Sequence, residues 1–266
     1  MQETPAISVP RRARNGEAVL ARAALLRLVA IGFGYPVPGG AAGVRVALAQ
    51  LDGARARGAV EAPLDAAIEA VKRAWLEADD DGLRREYVRL FHGNGPVSLR
   101  ETAYGDGCRP AGRPVELADL SGFCLAFGLE PSGANPEMLD HVSVEAEFLS
   151  LMLLKDVYAQ TGHRQSQRRI AREAARRFIE DHLGRWAPAL RLRLAEEQAA
   201  APYQGLGVLL ADLVAAECRR LGAKPRPVRG PAPADDMQSE CFVCPLAGPP
   251  AQPGSPDGTN HPQSVR

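Results

Sequence analysis

NPEMLDHVSVEAEFLSLMLLKDVYAQTG, residues Asn135 to Gly162, is the stretch whose reading decides the fold. It predicts one long helix. Asn135 suits the N-cap, Pro136 the first helical position and Glu137 the positive end of the helix dipole, and Gly162 ends the helix. On a helical wheel the apolar residues do not keep to one stripe. Val144, Phe148, Leu151 and Met152 form one side; Val142, Leu149, Leu153 and Val157 form another. A helix apolar on most of its circumference is a central one, packed by neighbours on several sides. Its first two turns nevertheless carry Asp140, His141, Glu145 and Glu147. Ionisable groups near a core are costly unless they are paired or reach a cleft, so these are candidate functional residues.

The rest of the chain supplies the neighbours such a helix needs. With 266 residues, 45% of them hydrophobic, it is long enough to bury a sizeable core. Lys and Arg number 32 and so do Asp and Glu, a zero balance that argues against a general nucleic-acid surface. Ala, Leu, Arg and Glu dominate and alternating β-branched runs are almost absent, which predicts helices. No apolar run is long enough for stable membrane insertion. Arg11-Arg12 invites comparison with a twin-arginine export signal, but Glu17, Arg22 and Arg27 interrupt the segment that follows. The expectation is a cytoplasmic protein with reduced cysteines.

In chain order, residues 1–15 read as a flexible arm and Glu17–Phe33 as a helix with Val19, Leu20, Leu25, Leu28 and Val29 in the core. Val44–Gln50, Pro63–Ala78 and Leu83–His92 follow as helices, with Trp75 a packing residue and Asp79-Asp80-Asp81 a solvated cap. Gly93–Pro114 is a turn-rich loop containing Glu101, Tyr104 and Cys108; loops of this length inside a domain are uncommon and often functional. Val115–Gly128 is helical. After the central helix come Gln165–Leu183 with Ile170, Phe178 and Ile179 buried, Trp186–Gln198 after a break at Gly184, and Tyr203–Leu221 ended by Gly222. The Pro/Gly-rich segment 223–266 reads as a disordered tail. The sum is an all-α fold, one helical bundle domain over residues 16–222.

Each chemical motif has a plain structural counterpart. His141 and Glu145 stand four apart on one helix face, ligand-like spacing, yet no HxxxH or ExxH partner appears elsewhere, so a buried polar pair is the simpler reading. Cys241 and Cys244 form a CxxC that supplies half of a tetrahedral zinc site and lacks the βα setting of a redox pair. The arginines between Arg164 and Arg193 read as a solvated face rather than a DNA-reading helix. GFGYPVPGG lacks the lysine and the preceding strand of a phosphate loop, and no GxSxG elbow occurs. Residue chemistry alone therefore leaves a helical binding protein. A helical metal- or cofactor-binding protein using His141, Glu145, Cys241 and Cys244 is the alternative.

Three segments in order resemble the TorD/DmsD/NarJ family of dedicated molybdoenzyme chaperones: REYVRLFHGNGP at Arg85–Pro96, RETAYGDG at Arg100–Gly107 and PEMLDHVSVEAEFLSLM at Pro136–Met152. The matching positions are Glu86, Tyr87, Arg89, Leu90, Phe91 and Gly93, then Pro136, Asp140, His141, Glu145 and Phe148. The LRETAYGDG form is similar to the branch serving type II members of the dimethyl sulfoxide reductase family. The resemblance implies a TorD-like all-α chaperone that is not an enzyme and needs no cofactor of its own. Its partner would be the apo catalytic subunit of a molybdopterin-containing oxidoreductase, held at its twin-arginine signal peptide until the cofactor is inserted. Asp140 and His141 carry over as recognition residues, with Tyr104 and Glu86 as neighbours; Glu145 and Phe148 would complete the rim of an apolar, carboxylate-edged cleft.

Overall fold

Helix-forming segments separated by Gly and Pro punctuation become nine α-helices among the described residues. The computed structural model describes residues 11–93, 95–109, 111–130 and 138–228, all within one compact unit. The helices are α1 (Arg11–Gly32), α2 (Gly40–Ala56), α3 (Ala62–Glu77), α4 (Asp80–Phe91), α5 (Gly112–Ala126), α6 (Val142–Thr161), α7 (Gln165–Asp181), α8 (Leu183–Glu196) and α9 (Ala201–Leu221). Two short 3-10 turns, Glu101–Ala103 and Gly105–Cys108, break up the loop before α5. No helix among the described residues is long and apolar enough to cross a membrane.

The central helix is α6. It packs most heavily against α1 and α7 and also touches α8. Twelve of its 20 residues are buried, on no single stripe. Two of them are serines, and each ties α6 to α1: Ser143 Oγ donates to the Ala30 carbonyl and Ser150 Oγ to that of Ala23, both at 2.8 Å. A serine is small enough for close approach and satisfies its own hydroxyl on the neighbouring backbone. Around α6, the pairs α3–α9 and α8–α9 close the bundle.

Several boundaries differ from those the sequence suggests. Residues 135–137, and with them the expected N-cap, lie outside the described residues; α6 begins at Val142, where His141 is the N-cap and its Nδ1 accepts from the Ser143 N–H at 3.2 Å. The helix α1 starts at Arg11, inside the expected arm. The break before α8 falls at His182 rather than Gly184, which is itself buried against Ile179. The chain after Gly222 stays packed as far as Val228, whose N–H donates to the Arg185 carbonyl at 3.0 Å. The CxxC at Cys241 and Cys244 lies outside the described residues.

Two expected core residues are exposed, Leu20 by 42% and Ile170 by 56%. In α7 the inner face is taken by Ala171, Ala175, Phe178 and Ile179 instead, and Ile170 lies one position, about 100° of helix rotation, off Ala171. The acidic triplet behaves as a cap: the Asp79 carboxylate accepts from the Gly82 N–H at 2.7 Å. Asp80 reaches further, accepting from the N–H groups of Gly39 and Ala41 at the start of α2, and these donors hold its pKa below the ordinary aspartate value.

Candidate functional site

The loop before α5 is fastened to the start of α6 by backbone. Glu101 N–H donates to the Asp140 carbonyl and Val142 N–H to that of Leu99, both at 2.8 Å, enclosing an isolated antiparallel bridge between Arg100 and His141. Glycine makes the loop's path possible. Gly105 has φ +58°, a region other residues rarely enter, and a Cβ there would meet the Val228 side chain; a Cβ on Gly107 would meet Glu116 and Thr102. The YGDG motif is thus a packing requirement of this loop.

Beneath the loop lies a group of ionisable side chains that are all buried: Glu101, Asp140, His141, Glu145 and His182. Asp140 Oδ2 accepts from the Thr102 hydroxyl at 2.6 Å. Glu145 Oε2 accepts from the Trp186 indole N–H at 3.0 Å. Glu101 Oε2 lies 3.0 Å from His182 Nδ1, and His182 Nε2 lies 3.2 Å from Asp119 Oδ2, within ion-pair reach but off the hydrogen-bond line. Tyr104 stacks on Trp186 with ring centroids 5.2 Å apart, and its hydroxyl donates to the Ser98 carbonyl at 2.7 Å. Among the described residues the second carboxylate oxygens of Asp140 and Glu145 have no hydrogen-bond partner.

Burial, reinforced by the charges of Glu101, Asp140 and Glu116, pushes the Glu145 carboxyl well above the ordinary glutamate value of 4.5; the Trp186 N–H opposes the shift without reversing it. His182 is pulled down by burial, but the hydrogen bond and charge of Glu101, with Asp119 and Asp181, outweigh this and leave it raised. Both groups keep protons in the folded chain that the unfolded chain releases as pH rises. For Glu145 the stabilisation is therefore complete below 4.5 and lost as pH rises until the buried carboxyl ionises; for His182 it is complete below 6.5 and lost as pH rises until the folded imidazole gives up its proton and becomes neutral. Glu145→Gln keeps an acceptor for Trp186 and removes one of the two protons. We expect a flatter fall of melting temperature between acidic and mildly alkaline pH, with His182 supplying what slope remains. Identical slopes in both proteins would show that Glu145 ionises normally.

The six residues selected from sequence do not form one rim. Asp140, His141, Glu145 and Tyr104 come together, but inside, each less than 5% exposed. Phe148 lies in a separate aromatic stack with Phe178 (4.4 Å between centroids), Phe123 and Phe127. Glu86 belongs to a third place. It grips Arg89 through two 2.8 Å hydrogen bonds and accepts from the Ala200 N–H at 2.7 Å, holding the start of α9. Arg89, ahead of its neighbours as a cause, and the Ala200 N–H keep the Glu86 pKa below its ordinary value despite partial burial. Trp186, Thr102, Glu101 and His182, which tie the buried cluster together, were not singled out as a set by sequence; only the unusual length of the loop pointed near them.

Among the described residues, no group of three or more His, Cys, Asp or Glu side chains could hold a metal ion. Several grooves open on the surface of the described residues. One of about 550 Å³ runs between α5 and α7 over Phe123, Phe127, Ile170 and Ala174, and a second of about 970 Å³ adjoins it at Asp119.

The model of the family described as nitrate reductase delta subunit matches residues 57–191, about half the chain and the span holding every residue of the buried cluster. The chain belongs to that family. The chain is 34% identical over 143 residues to the selenate reductase assembly chaperone protein of Thauera selenatis, covering 53% of this chain and 70% of that one. It is 31% identical over 166 residues to the chlorate reductase assembly chaperone protein of Ideonella dechloratans, covering 59% and 84%. The perchlorate reductase assembly chaperone protein of Dechloromonas aromatica (strain RCB) is 26% identical over 177 residues, covering 65% and 77%. A solved structure from Archaeoglobus fulgidus, described as a candidate redox enzyme maturation protein, overlaps 83% of this chain and 99% of its own at 16% identity and a TM-score of 0.36, a loose likeness. The TorD/DmsD/NarJ resemblance and the all-α expectation are borne out.

Proposed function

We propose that this assembly chaperone acts in the cytoplasm, without catalytic activity of its own, on the apo catalytic subunit of a molybdopterin-containing oxidoreductase. It engages the subunit at its twin-arginine leader before export. The observation that carries the reading is the family membership together with three relatives, each matched over at least two thirds of its length and each described as a reductase assembly chaperone. Their named clients make an oxyanion reductase of the selenate or chlorate type the first client to test. The buried chemistry supports a non-catalytic role: Asp140 and Glu145 are closed off from solvent and each holds a structural hydrogen bond, to Thr102 and to Trp186, and His141 caps α6.

In this reading Asp140, His141 and Glu145 are positioning residues. They hold the loop before α5 against α6 and α8, and a leader received on the outer surface is bound without touching them. Asp140→Ala together with His141→Ala should weaken leader binding and also lower stability by about 1–3 kcal/mol, the scale of leaving a buried polar group such as the Thr102 hydroxyl without its partner. Thr102→Val removes the same hydrogen bond from the other side and should weaken binding in the same direction. Calorimetry with the client's leader, run well below the melting temperature of each variant, checks both. Normal leader affinity in the double variant would overturn the positioning role given to these residues. A metal-binding role for His141 and Glu145 gains no support from their geometry, since both already serve backbone and indole donors.

A further inference from the structure

We propose that His182 is a pH-sensitive latch on α5: with both ring nitrogens protonated it draws α5 onto the bundle, and when Nε2 gives up its proton the same contact pushes α5 away. His182 occupies the junction where α7 ends and α8 begins, and its ring lies between carboxylates from two separate elements. Nδ1 is 3.0 Å from Oε2 of Glu101 on the loop, and Nε2 is 3.2 Å from Oδ2 of Asp119 on α5. Glu101 and His182 are buried, whereas the Asp119 side chain is 61% exposed. The buried partner fixes the tautomer. A neutral ring keeps its one hydrogen on Nδ1, for Glu101, and turns the Nε2 lone pair toward Asp119. A protonated ring presents Nε2–H to that carboxylate instead. The contact to α5 therefore reverses sign while the contact to Glu101 persists.

The helix α5 is an element such a reversal can move. Its main neighbours are the two 3-10 turns, Leu120 is its one buried side chain, and Phe123 and Phe127 lean on Phe148 and Phe178. Phe123 also stands edge-on to the His182 ring, with centroids 5.4 Å apart, so the latch lies where α5 meets the body. The other charged groups nearby are engaged elsewhere or face water. Glu116 of α5 reaches Arg185 of α8 at 3.7 Å, and Glu180 of α7 is held by Arg176 and by the Lys224 N–H. Asp181 of α7 is exposed, and the Lys224 and Arg226 side chains line the groove outside. Asp140 and Glu145 are bonded to Thr102 and Trp186 rather than to α5. Burial pulls the His182 pKa down, but Glu101, then Asp119 and Asp181, leave it above the ordinary 6.5. The latch is accordingly closed below 6.5 and opens as pH rises through the folded value. Opening lifts Phe123 from Phe148 and Phe178 and gives water access to that aromatic floor.

Asp119→Asn, at an exposed position, tests the latch in the full chain. Asparagine serves either state of the ring, because its oxygen accepts from Nε2–H and its N–H donates to the bare Nε2. Backbone hydrogen exchange of parent and variant is followed by mass spectrometry from mildly acidic to mildly alkaline pH. At each pH the two chains share the chemical exchange rate away from the substituted position and every other titration, so their ratio isolates this contact. For peptides covering Gly112–Ala126, exchange in the parent relative to the variant should rise as pH climbs past 6.5. The expected rise is about two- to fivefold, the scale of a part-exposed ion pair. Peptides from α9 should keep a constant ratio. Imidazole proton NMR supplies the second readout: His182 should lose its proton at a lower pH in Asp119→Asn than in the parent. A ratio for α5 that stays flat with pH would overturn the latch, and so would one that changes equally in α5 and α9, which marks a global loss of stability. An unchanged His182 titration midpoint would show that Asp119 does not face the ring, with the same consequence.

Discussion

Glu217→Ala is expected to lower the unfolding free energy by about 3–5 kcal/mol, the range seen when one partner of a buried ion pair is removed. Glu217 is fully buried on α9, and its two oxygens accept from Arg22 Nε of α1 at 2.6 Å and Arg220 Nε at 2.7 Å. Arg22 is also buried, so alanine at 217 strands a guanidinium that retains only the longer 3.3 Å contact to Glu61. Arg220 loses less, because it also donates to Asp156 at 2.8 Å. Chemical denaturation measures the loss. The companion variant Arg22→Met with Glu217→Leu removes charge from both sides and should recover most of it, since well-packed apolar replacements of buried pairs are often neutral. A Glu217→Ala chain as stable as the parent would show that water reaches Arg22.

Trp186→Ala should be of similar size, about 3–5 kcal/mol for emptying an aromatic core site. Trp186 is fully buried, carries the Tyr104 ring, and gives Glu145 its one hydrogen bond from a side chain. Removal leaves a cavity under the loop and a buried carboxyl without its donor. Trp186→Phe separates the two: it keeps most of the packing and forfeits the N–H, and should cost about 1–3 kcal/mol, the penalty of an orphaned buried polar group. With the donor gone, the Glu145 pKa rises further, so the Trp186→Phe chain should lose stability more steeply with increasing pH than the parent. Equal stability of the Phe and parent chains would show that the indole hydrogen bond contributes nothing.

Both predictions concern groups whose importance is invisible in linear order. Arg22 and Glu217 are separated by 195 positions, and Glu145 and Trp186 by 41. In sequence Arg22 was an interruption of an apolar segment, and the arginines of α7 a solvated face. Arg168 and Arg172 instead clasp the buried Asp156, which Arg220 also reaches. The rim reading of Asp140, His141 and Glu145 changed for the same reason. Helical spacing places side chains on a shared face but says nothing about what covers that face, and here the cover is a loop that precedes α6 by some forty residues of chain.

What the sequence determined by itself was local and periodic. The central helix, the Asp79 cap on α4, the glycine stop at Gly222 and the all-α class follow from propensities and short-range hydrogen bonds, and the joint order of three motifs carried the family. The tertiary structure alone decided where the carboxylates lie, that Glu86 serves the start of α9 and not the Asp140 cluster, and that an open apolar groove lies between α5 and α7. Burial and ion pairing depend on which distant segments meet, and a charge near an apolar run reads alike whether its partner is water or a helix two hundred residues away.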